Sequence, residues 1–473
     1  MAIRVDHSIA TRRQALRALF GALSVLLVAL LAACTAPTTT SSTGIAASAT
    51  STTAVDTGSG PTAISTNLRA SEVADGFENA TNIVSRPMRN QLWVTQRSGI
   101  VRAIEIETSW NQELGRSQRN GFKTFPKPVI DISTEVSTEG ERGLLGIAFS
   151  TDARTLFLSY VNKKGELIIA SWAVNDPLPT PPTTLTPSAP APSTSAPTTT
   201  RPSTSSTPST SRIPLEIAAP VIDPGSRRVL LSIAHEGNTN YSGELMLGRD
   251  GFLYIGVGDS PNGQSERTAQ NPDSLLGKIL RIDPGGANII EPYVIPPGNP
   301  YAKGGGAPQI WSIGAQNPLR FSFDRANGNM WVVDAGRMKF SEIDYLPVTQ
   351  GGGAGANLGW PYKDGKESGP TPDGAPSTLV TPLVVAPANG TDCPLIGGFV
   401  YRGSITELQG VYVYGDHCSG TVRGLLQRKG VVLDDKAIGP QLGNNSIIAF
   451  AEDNQGELYV VTSGGSVQRL AAA

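Results

Sequence analysis

The sequence predicts an all-β protein folded as a six-bladed β-propeller, and three features lead there. First, 52 glycines and 36 prolines in 473 residues exceed what helix interiors tolerate, since glycine costs backbone entropy and proline removes a hydrogen bond. Second, a two-strand unit recurs: IAFSTDARTLFLSYV (147–161), LMLGRDGFLYIGVGD (245–259), FSFDRANGNMWVVDAG (321–336) and IAFAEDNQGELYVVTSGG (448–465). Each copy has an apolar strand, a polar turn with an aspartate, and a second strand of alternating aromatic and β-branched residues. NIVSRPMRNQLWVTQRSG (82–99) is a looser fifth copy. Third, the copies are spread over most of the chain, as blades around a channel would be. A jelly roll or sandwich has no reason to repeat this unit. The two ends of the domain are expected to share a blade.

From the N-terminus, residues 1–33 read as a lipoprotein signal peptide and stand outside the fold. Arg12, Arg13 and Arg17 form its positive segment, and Ala18 to Ala33 its apolar run. Leu31-Ala32-Ala33-Cys34 resembles a bacterial lipobox, which would make Cys34 the lipidated first residue of the mature chain. A plain signal peptide or an anchoring helix is the alternative. Thr11 to Leu16 (TRRQAL) resembles a twin-arginine export signal. No later segment approaches the ~18 apolar residues of a spanning helix. The expected location is extracytoplasmic, lipid-anchored to a bacterial membrane or cell surface, with membrane contact through the N-terminal lipid only.

Residues 34–66 are rich in Thr, Ser, Ala and Gly and hold too little apolar surface to offset their ordering entropy, so a flexible, disordered tether is expected. The propeller should then occupy 67–473, interrupted by the low-complexity insertion 177–212, PLPTPPTTLTPSAPAPSTSAPTTTRPSTSSTPSTSR. That tract reads as an exposed, partly polyproline-like and disordered segment: a spacer, a glycosylation platform or a tolerated expansion. A net charge of −2 with 16% charged residues and no basic stripe excludes an electrostatic nucleic-acid binder. On the exported side Cys393 and Cys418 are expected to form a disulfide. Closing that loop stabilises by about 3 kcal/mol in the chain-entropy argument.

Several motifs resemble those of the glucose/sorbosone dehydrogenase family. They are GERGLLGIAF (140–149), AQN (269–271) with SLLGKILRID (274–283), QNPLRFSFD (316–324), GGFVYRG (397–403) and YGDHCSG (414–420), in family order over about 80–470. The last of these, with IIAFAED (447–453), resembles the branch that includes hedgehog-interacting-protein propellers, where the scaffold serves binding. The resemblance implies a six-bladed propeller. In active members it also implies pyrroloquinoline quinone (PQQ) at the channel mouth beside calcium, a histidine that removes the sugar hydroxyl proton, and an arginine that polarises the quinone oxygen. Those roles need a base with a pKa near working pH and positive charge where oxyanion character develops.

On this resemblance the catalytic histidine position, three residues before Gly243, is Asn240. A carboxamide orients a hydroxyl but takes up no proton near neutrality. The arginine before Asn-Pro is Gln316, while Asn317 is retained; the cofactor-carboxylate arginines fall on Asn445 and Ile447. Glu141, Asn317 and Arg337 remain as cofactor-binding candidates. The backbone carbonyls of Gly336 and Arg337 are the calcium candidates, in keeping with calcium's preference for oxygen ligands. His235, five residues before Asn240, is either a surface loop residue or a substitute base; Glu141 and Glu244 are other potential bases, or else solvated or salt-bridged carboxylates. His417, in Asp-His-Cys-Ser-Gly, is expected to pack near the disulfide.

Two classes of function follow. One is an exported lipoprotein that oxidises aldose-type sugars by hydride transfer to the quinone. The other is a catalytically degenerate propeller that binds a small-molecule sugar, a cell-surface carbohydrate or a protein. The sequence identifies no protein partner.

Overall fold

A computed structural model describes residues 61–111, 116–176, 219–261, 267–286, 290–336, 339–388, 393–444 and 446–473. Cys34, the expected signal peptide, most of the expected tether, the insertion 177–212, Arg337 and Asn445 lie outside these residues. The described strands form six antiparallel blades and a small separate hairpin, Lys363–Asp364 with Glu367–Ser368.

Blade 1 is Ala80–Arg86, Gln91–Gln96, Ile100–Asn111 and Arg116–Thr124; blade 2 is Leu144–Phe149, Thr155–Val161, Leu167–Asn175 and Val221–Ile233. Blade 3 is Ser242–Leu247, Leu253–Val257, Lys278–Ile282 and Ile310–Ile313; blade 4 is Pro318–Phe323, Met330–Asp334, Phe340–Leu346 and Val384–Pro387. Blade 5 is Leu395–Val400, Tyr412–Asp416, Thr421–Arg428 and Val431–Gln441. Blade 6 takes Ile447–Glu452, Leu458–Thr462 and Val467–Ala472 from the C-terminal end and borrows Leu68–Ala74 as its outer strand, so the domain's two ends share a blade as expected. The first strands of successive blades lie side by side, and that of blade 6 returns to that of blade 1.

The apolar core sits between blades, in six wedges. The second strands, buried on both faces, feed two wedges at once because successive side chains point to opposite faces. Leu253, Ile255 and Val257 pack toward blade 2, while Tyr254 packs toward blade 4. Met330 and Val332 face blade 3; Trp331 and Val333 face blade 5, where Trp331 stacks on Tyr412 with ring centroids 4.4 Å apart. Each such side chain contributes about 1.5–3 kcal/mol on burial. Ile64 is 2% exposed and belongs to the wedge between blades 5 and 6. Ordered packing therefore begins ahead of the tether boundary expected at residue 66, because this one large apolar side chain reaches the core.

Blade pairing fixes which loops share an end. Ser242 pairs with Val257, Val257 with Lys278, and Lys278 with Ile313. Each first strand's start, each second-to-third connection and each fourth strand's end thus meet at one channel mouth. The insertion leaves the chain after the third strand of blade 2, where Asn175 pairs with Val221, which is the opposite end. At the mouth end every first strand carries a register shift against its neighbour: Ala80/Asn82, Leu144/Gly146, Ser242/Leu245, Pro318/Arg320, Ile396/Phe399 and Ile447/Ala449. Such bulges bend a strand and re-aim its side chains.

Candidate functional site

At the mouth, blades 3 and 4 bring the expected residues together around two glycines. Asn240 has a left-handed backbone (φ 59°), and its N–H donates to Glu141 Oε2 at 2.6 Å. A Cβ on Gly258 would overlap the Asn240 carbonyl oxygen and stand 3.0 Å from Asn317 Oδ1. Only glycine permits this approach. Oδ1 of Asn240 and Oδ1 of Asn317 are both buried without a hydrogen-bond partner. A Cβ on Gly336 would likewise overlap Oε1 of Gln316, so Gln316 lies over the Gly336 backbone.

One carboxylate organises this segment. Asp334 accepts from the backbone N–H of Gln316 (2.7 Å) and of Asn317 (2.6 Å), and the Gln316 carbonyl accepts from the N–H of Asp259 (2.7 Å). Burial pushes the Asp334 pKa up to about 6, with the two N–H donors pulling it back. Neither Asp334 nor Gly258 emerged from sequence reasoning. The available signals were Asp-Ala-Gly and Gly-Asp, each closing an apolar second strand at the mouth end.

His235 does not stand in the opening. It is 9% exposed, stacks on Tyr241 (centroids 4.1 Å) and places Nε2 3.2 Å from the Asn240 carbonyl. A carbonyl only accepts, so Nε2 carries the proton, and Nδ1 is buried without a partner. Burial lowers the His235 pKa below its usual value. The Tyr241 hydroxyl accepts from Arg142 Nε (3.1 Å) and lies 3.0 Å from the carbonyls of Gly165 and Gly237. The ring is thus part of the wall between blades 2 and 3, and the surface-loop alternative fails as well. His417 Nδ1 is held by the carbonyl of Ile447 at 2.8 Å, beside the Cys393–Cys418 disulfide (S–S 2.06 Å).

PQQ carries three carboxylates, so a fitting site offers cations with open donors. Among the described residues, three cations near the mouth are engaged by protein groups. Arg142 binds Glu139, Tyr241 and the Gly237 carbonyl. Arg97 binds the carbonyls of Arg142 and Thr138. Lys278 Nζ donates to the carbonyls of Thr268, Ala269 and Leu276 at 2.7–2.9 Å. Asp259, buried beside Lys278, accepts from Trp360 Nε1 (3.0 Å) and Thr268, and burial raises its pKa. These three cations leave the quinone's carboxylates few open donors; Arg267, whose guanidinium lies 5.3 Å over the Tyr362 ring, is the remaining cation beside them.

Calcium is a different case. Glu342 pairs in register with Asp334, and Glu342 Oε2 and both Asp344 oxygens are buried without partners. Burial, reinforced by neighbouring carboxylates, drives both pKa values well above the ordinary range. These orphaned oxygens, two residues from Gly336 by register for Glu342 and four for Asp344, suit a hard cation's donor chemistry. No described group of three or more acidic, histidine or cysteine side chains is already arranged as a metal set.

Lower in the channel, Glu244 Oε2 accepts from Asn82 Nδ2 (2.8 Å) of blade 1 and from Arg320 Nη1 (3.0 Å) of blade 4. Sequence reading flagged Glu244 but not these partners.

Fold and site together define a six-bladed propeller with a polar mouth formed mainly by blades 3 and 4. The chain belongs to the glucose/sorbosone dehydrogenase family, whose sequence model matches residues 226–469, more than half of its length. It is 26% identical to the HIPL1 protein of Arabidopsis thaliana over 387 residues, covering 72% of this chain and 54% of that protein. It is 29% identical to the hedgehog-interacting protein of Homo sapiens over 263 residues, covering 52% of this chain and 34% of that protein. The chain thus spans about half the length, or less, of these relatives. Among solved structures, the PQQ-bound aldose sugar dehydrogenase of Streptomyces coelicolor aligns with a TM-score of 0.56 at 18% identity, covering 87% of this chain and 99% of that one. The apo-form soluble aldose sugar dehydrogenase of Escherichia coli aligns with a TM-score of 0.57 at 18% identity, covering 86% and 99%. At these identities the likeness speaks for the fold.

Proposed function

We propose that this propeller uses its channel mouth to bind a hydroxyl-rich ligand, a saccharide, without oxidising it. The carrying observation is the pair of buried, unpartnered Oδ1 atoms of Asn240 and Asn317 on either side of Gly258. Buried acceptors left open are costly, and sugar hydroxyls supply the missing donors. The base position holds a carboxamide, and the nearest imidazole is locked against Tyr241 with its bare nitrogen sealed. Losing a general base costs about 10²–10⁴ in rate, which disfavours turnover.

Sugar oxidation retains one specific support, the orphaned oxygens of Glu342 and Asp344 near Gly336. With calcium bound, those carboxylates and the Gly336 carbonyl would hold a positive charge beside the mouth. One experiment separates the readings: purified protein is mixed with PQQ and calcium, followed by absorbance and calorimetry, then assayed on an aldose panel with an artificial electron acceptor. Saccharide binding without quinone uptake is the expected result. Stoichiometric quinone uptake with sugar-dependent dye reduction would overturn the binding reading.

The chain is further proposed to act outside the cytoplasm, lipid-anchored through Cys34. The lipobox-like Leu31-Ala32-Ala33-Cys34 and the Cys393–Cys418 disulfide support this, since such bonds persist in oxidising compartments. Metabolic labelling with palmitate tests it: label that survives Cys34→Ala refutes anchoring at that residue.

A further inference from the structure

Nine large apolar side chains are exposed among the described residues, and eight of them gather at the end of the channel opposite the mouth. The ninth, Val229, lies mid-strand, paired with Ala170 at the outer edge of blade 2. First-to-second and third-to-fourth strand connections close that far end, and five blades put an apolar side chain into or beside them. Met88 of blade 1 is 72% exposed in a left-handed backbone (φ 57°), Val348 of blade 4 is 52% exposed and Val431 of blade 5 is 62% exposed. Val221 of blade 2 and Val294 of blade 3 complete the series. In blade 5 the second strand begins at Tyr412, level with Leu425. The third and fourth strands run on past that level to a turn at 429–430, so Val431, Val432 and Leu433 project beyond the blade.

The same connections carry exposed cations: Arg89, Arg154, Arg249 and Arg325 in the first turns of blades 1 to 4, and Lys429 beside Val431. Asp176 and Asp250 are tied to neighbouring arginines, while Asp152, Asp223 and Glu407 are exposed carboxylates on this end. Hydrogen bonds fasten the turns into one plate. Arg249 Nη1 donates to the Ala326 carbonyl of blade 4 (3.2 Å), Arg325 Nη1 to the Asn454 carbonyl of blade 6 (3.4 Å), and Asn454 Nδ2 to the Arg89 carbonyl of blade 1 (2.6 Å). Apolar side chains gathered on one face and rimmed by charge mark an interaction surface. The described chain also enters at this end. Leu68 pairs with Ala472, the Pro61 carbonyl accepts from Arg428 Nη2 (3.2 Å), and the Ile64 N–H donates to Asp434 Oδ2 (2.9 Å). Arg428 and Asp434 flank the projecting apolar residues, and Cys34 lies 27 positions ahead of Pro61.

We propose that this face seats on an anionic lipid bilayer, with Met88, Val348 and Val431 entering the boundary between headgroups and acyl chains and the arginines meeting the headgroups. Apolar side chains flanked by cations are what that boundary binds. A lipid surface is favoured over a protein partner because attachment at Cys34 would hold this end of the ring toward the membrane. The channel mouth then opens away from the bilayer, where a saccharide arrives unobstructed. The inference rests on the membrane attachment proposed above.

Vesicles test it, with the full chain carrying Cys34→Ala so that no protein compared is lipidated. A polarity-sensitive fluorophore is attached at Met88→Cys or Val431→Cys on the face, or at Lys164→Cys, exposed in a second-to-third strand connection at the mouth. With phosphatidylglycerol vesicles the probes at 88 and 431 are expected to shift to the blue and to be quenched by brominated lipid, while the probe at 164 stays in water. Arg154→Glu combined with Arg249→Glu should weaken vesicle binding about tenfold or more, with circular dichroism unchanged. Absence of vesicle binding, an equal response to phosphatidylcholine, or binding that leaves the probes at 88 and 431 in water overturns the proposal. A blue shift without vesicles, accompanied by a dimer mass, also overturns it and assigns the face to a second copy. Palmitate labelling of the unaltered protein is scored separately. Labelling at Cys34 with the probes left in water keeps the anchor and refutes the face, and the reverse result keeps the face and refutes the anchor.

Discussion

His235 Nε2 lies 3.2 Å from the carbonyl oxygen of Asn240, so the imidazole braces the backbone of the residue that the family resemblance sets at the proton-acceptor position. A histidine five residues away has become scaffolding for the site.

That contact predicts the behaviour of His235→Ala. Losing the Tyr241 stack and the carbonyl bond should destabilise the fold by about 1–3 kcal/mol. The pH dependence has a definite sign. With the folded pKa lowered by burial, the residue's contribution is complete above the unfolded value near 6.5 and declines as pH falls below it. Urea denaturation at pH 5 and pH 8 checks this: the variant should lose less stability on acidification than the parent. An equal loss in both proteins counts against the assignment.

Glu244 should act in the opposite sense. Burial, opposed by Arg320 and Asn82, raises its pKa to about 7. Arg320 is the charged group that faces it, and Asn82 and Arg320 supply the hydrogen bonds. The folded state therefore holds the proton more tightly than the unfolded state, and stability falls as pH rises from about 4.5 through 7, by about 3 kcal/mol in all. Glu244→Gln cannot ionise and should flatten that slope. Thermal melts of the variant across this range that match the parent's slope would sink the assignment.

Gly258→Ala should damage the mouth selectively. The added Cβ overlaps the Asn240 carbonyl and crowds Asn317 Oδ1, and forced overpacking costs about 1–3 kcal/mol. Calorimetric saccharide affinity should collapse while far-ultraviolet circular dichroism stays that of the parent. Retained affinity would place the ligand elsewhere.

Removing the Cys393–Cys418 bond by a double serine substitution should lower stability by about 3 kcal/mol. Denaturant titration measures this, and the parent in dithiothreitol should approach the variant. A parent indifferent to reductant would contradict it.

The propeller was legible in the sequence because the second strands state their burial directly. LYIGV and MWVVD are apolar at every position but one, and period-2 geometry turns such runs into side chains for two wedges. The mouth was legible as far as short motifs carried it: Asn240, Gln316, Asn317 and Gly336 do meet. What stayed hidden joins residues distant in the chain. Arg320 and Glu244 are 76 positions apart, and Asn82 and Glu244 are 162 apart; no local pattern links them. The direction of His235 was hidden for another reason: the ring's orientation is settled by stacking on Tyr241, and spacing is silent about stacking.

Closing blade 6 with Leu68–Ala74 against Val467–Ala472 also sets the order of events during synthesis. The first of these strands is made with the five intervening blades still to come, and its partner follows them in the chain. Until then Phe77, Leu92 and Val94 lack the apolar side chains of Val461 and Val467 that cover them in the finished ring. The nascent protein therefore carries a sticky open seam while the intervening blades are made, and anything that holds the earlier strand aside protects it from wrong pairing.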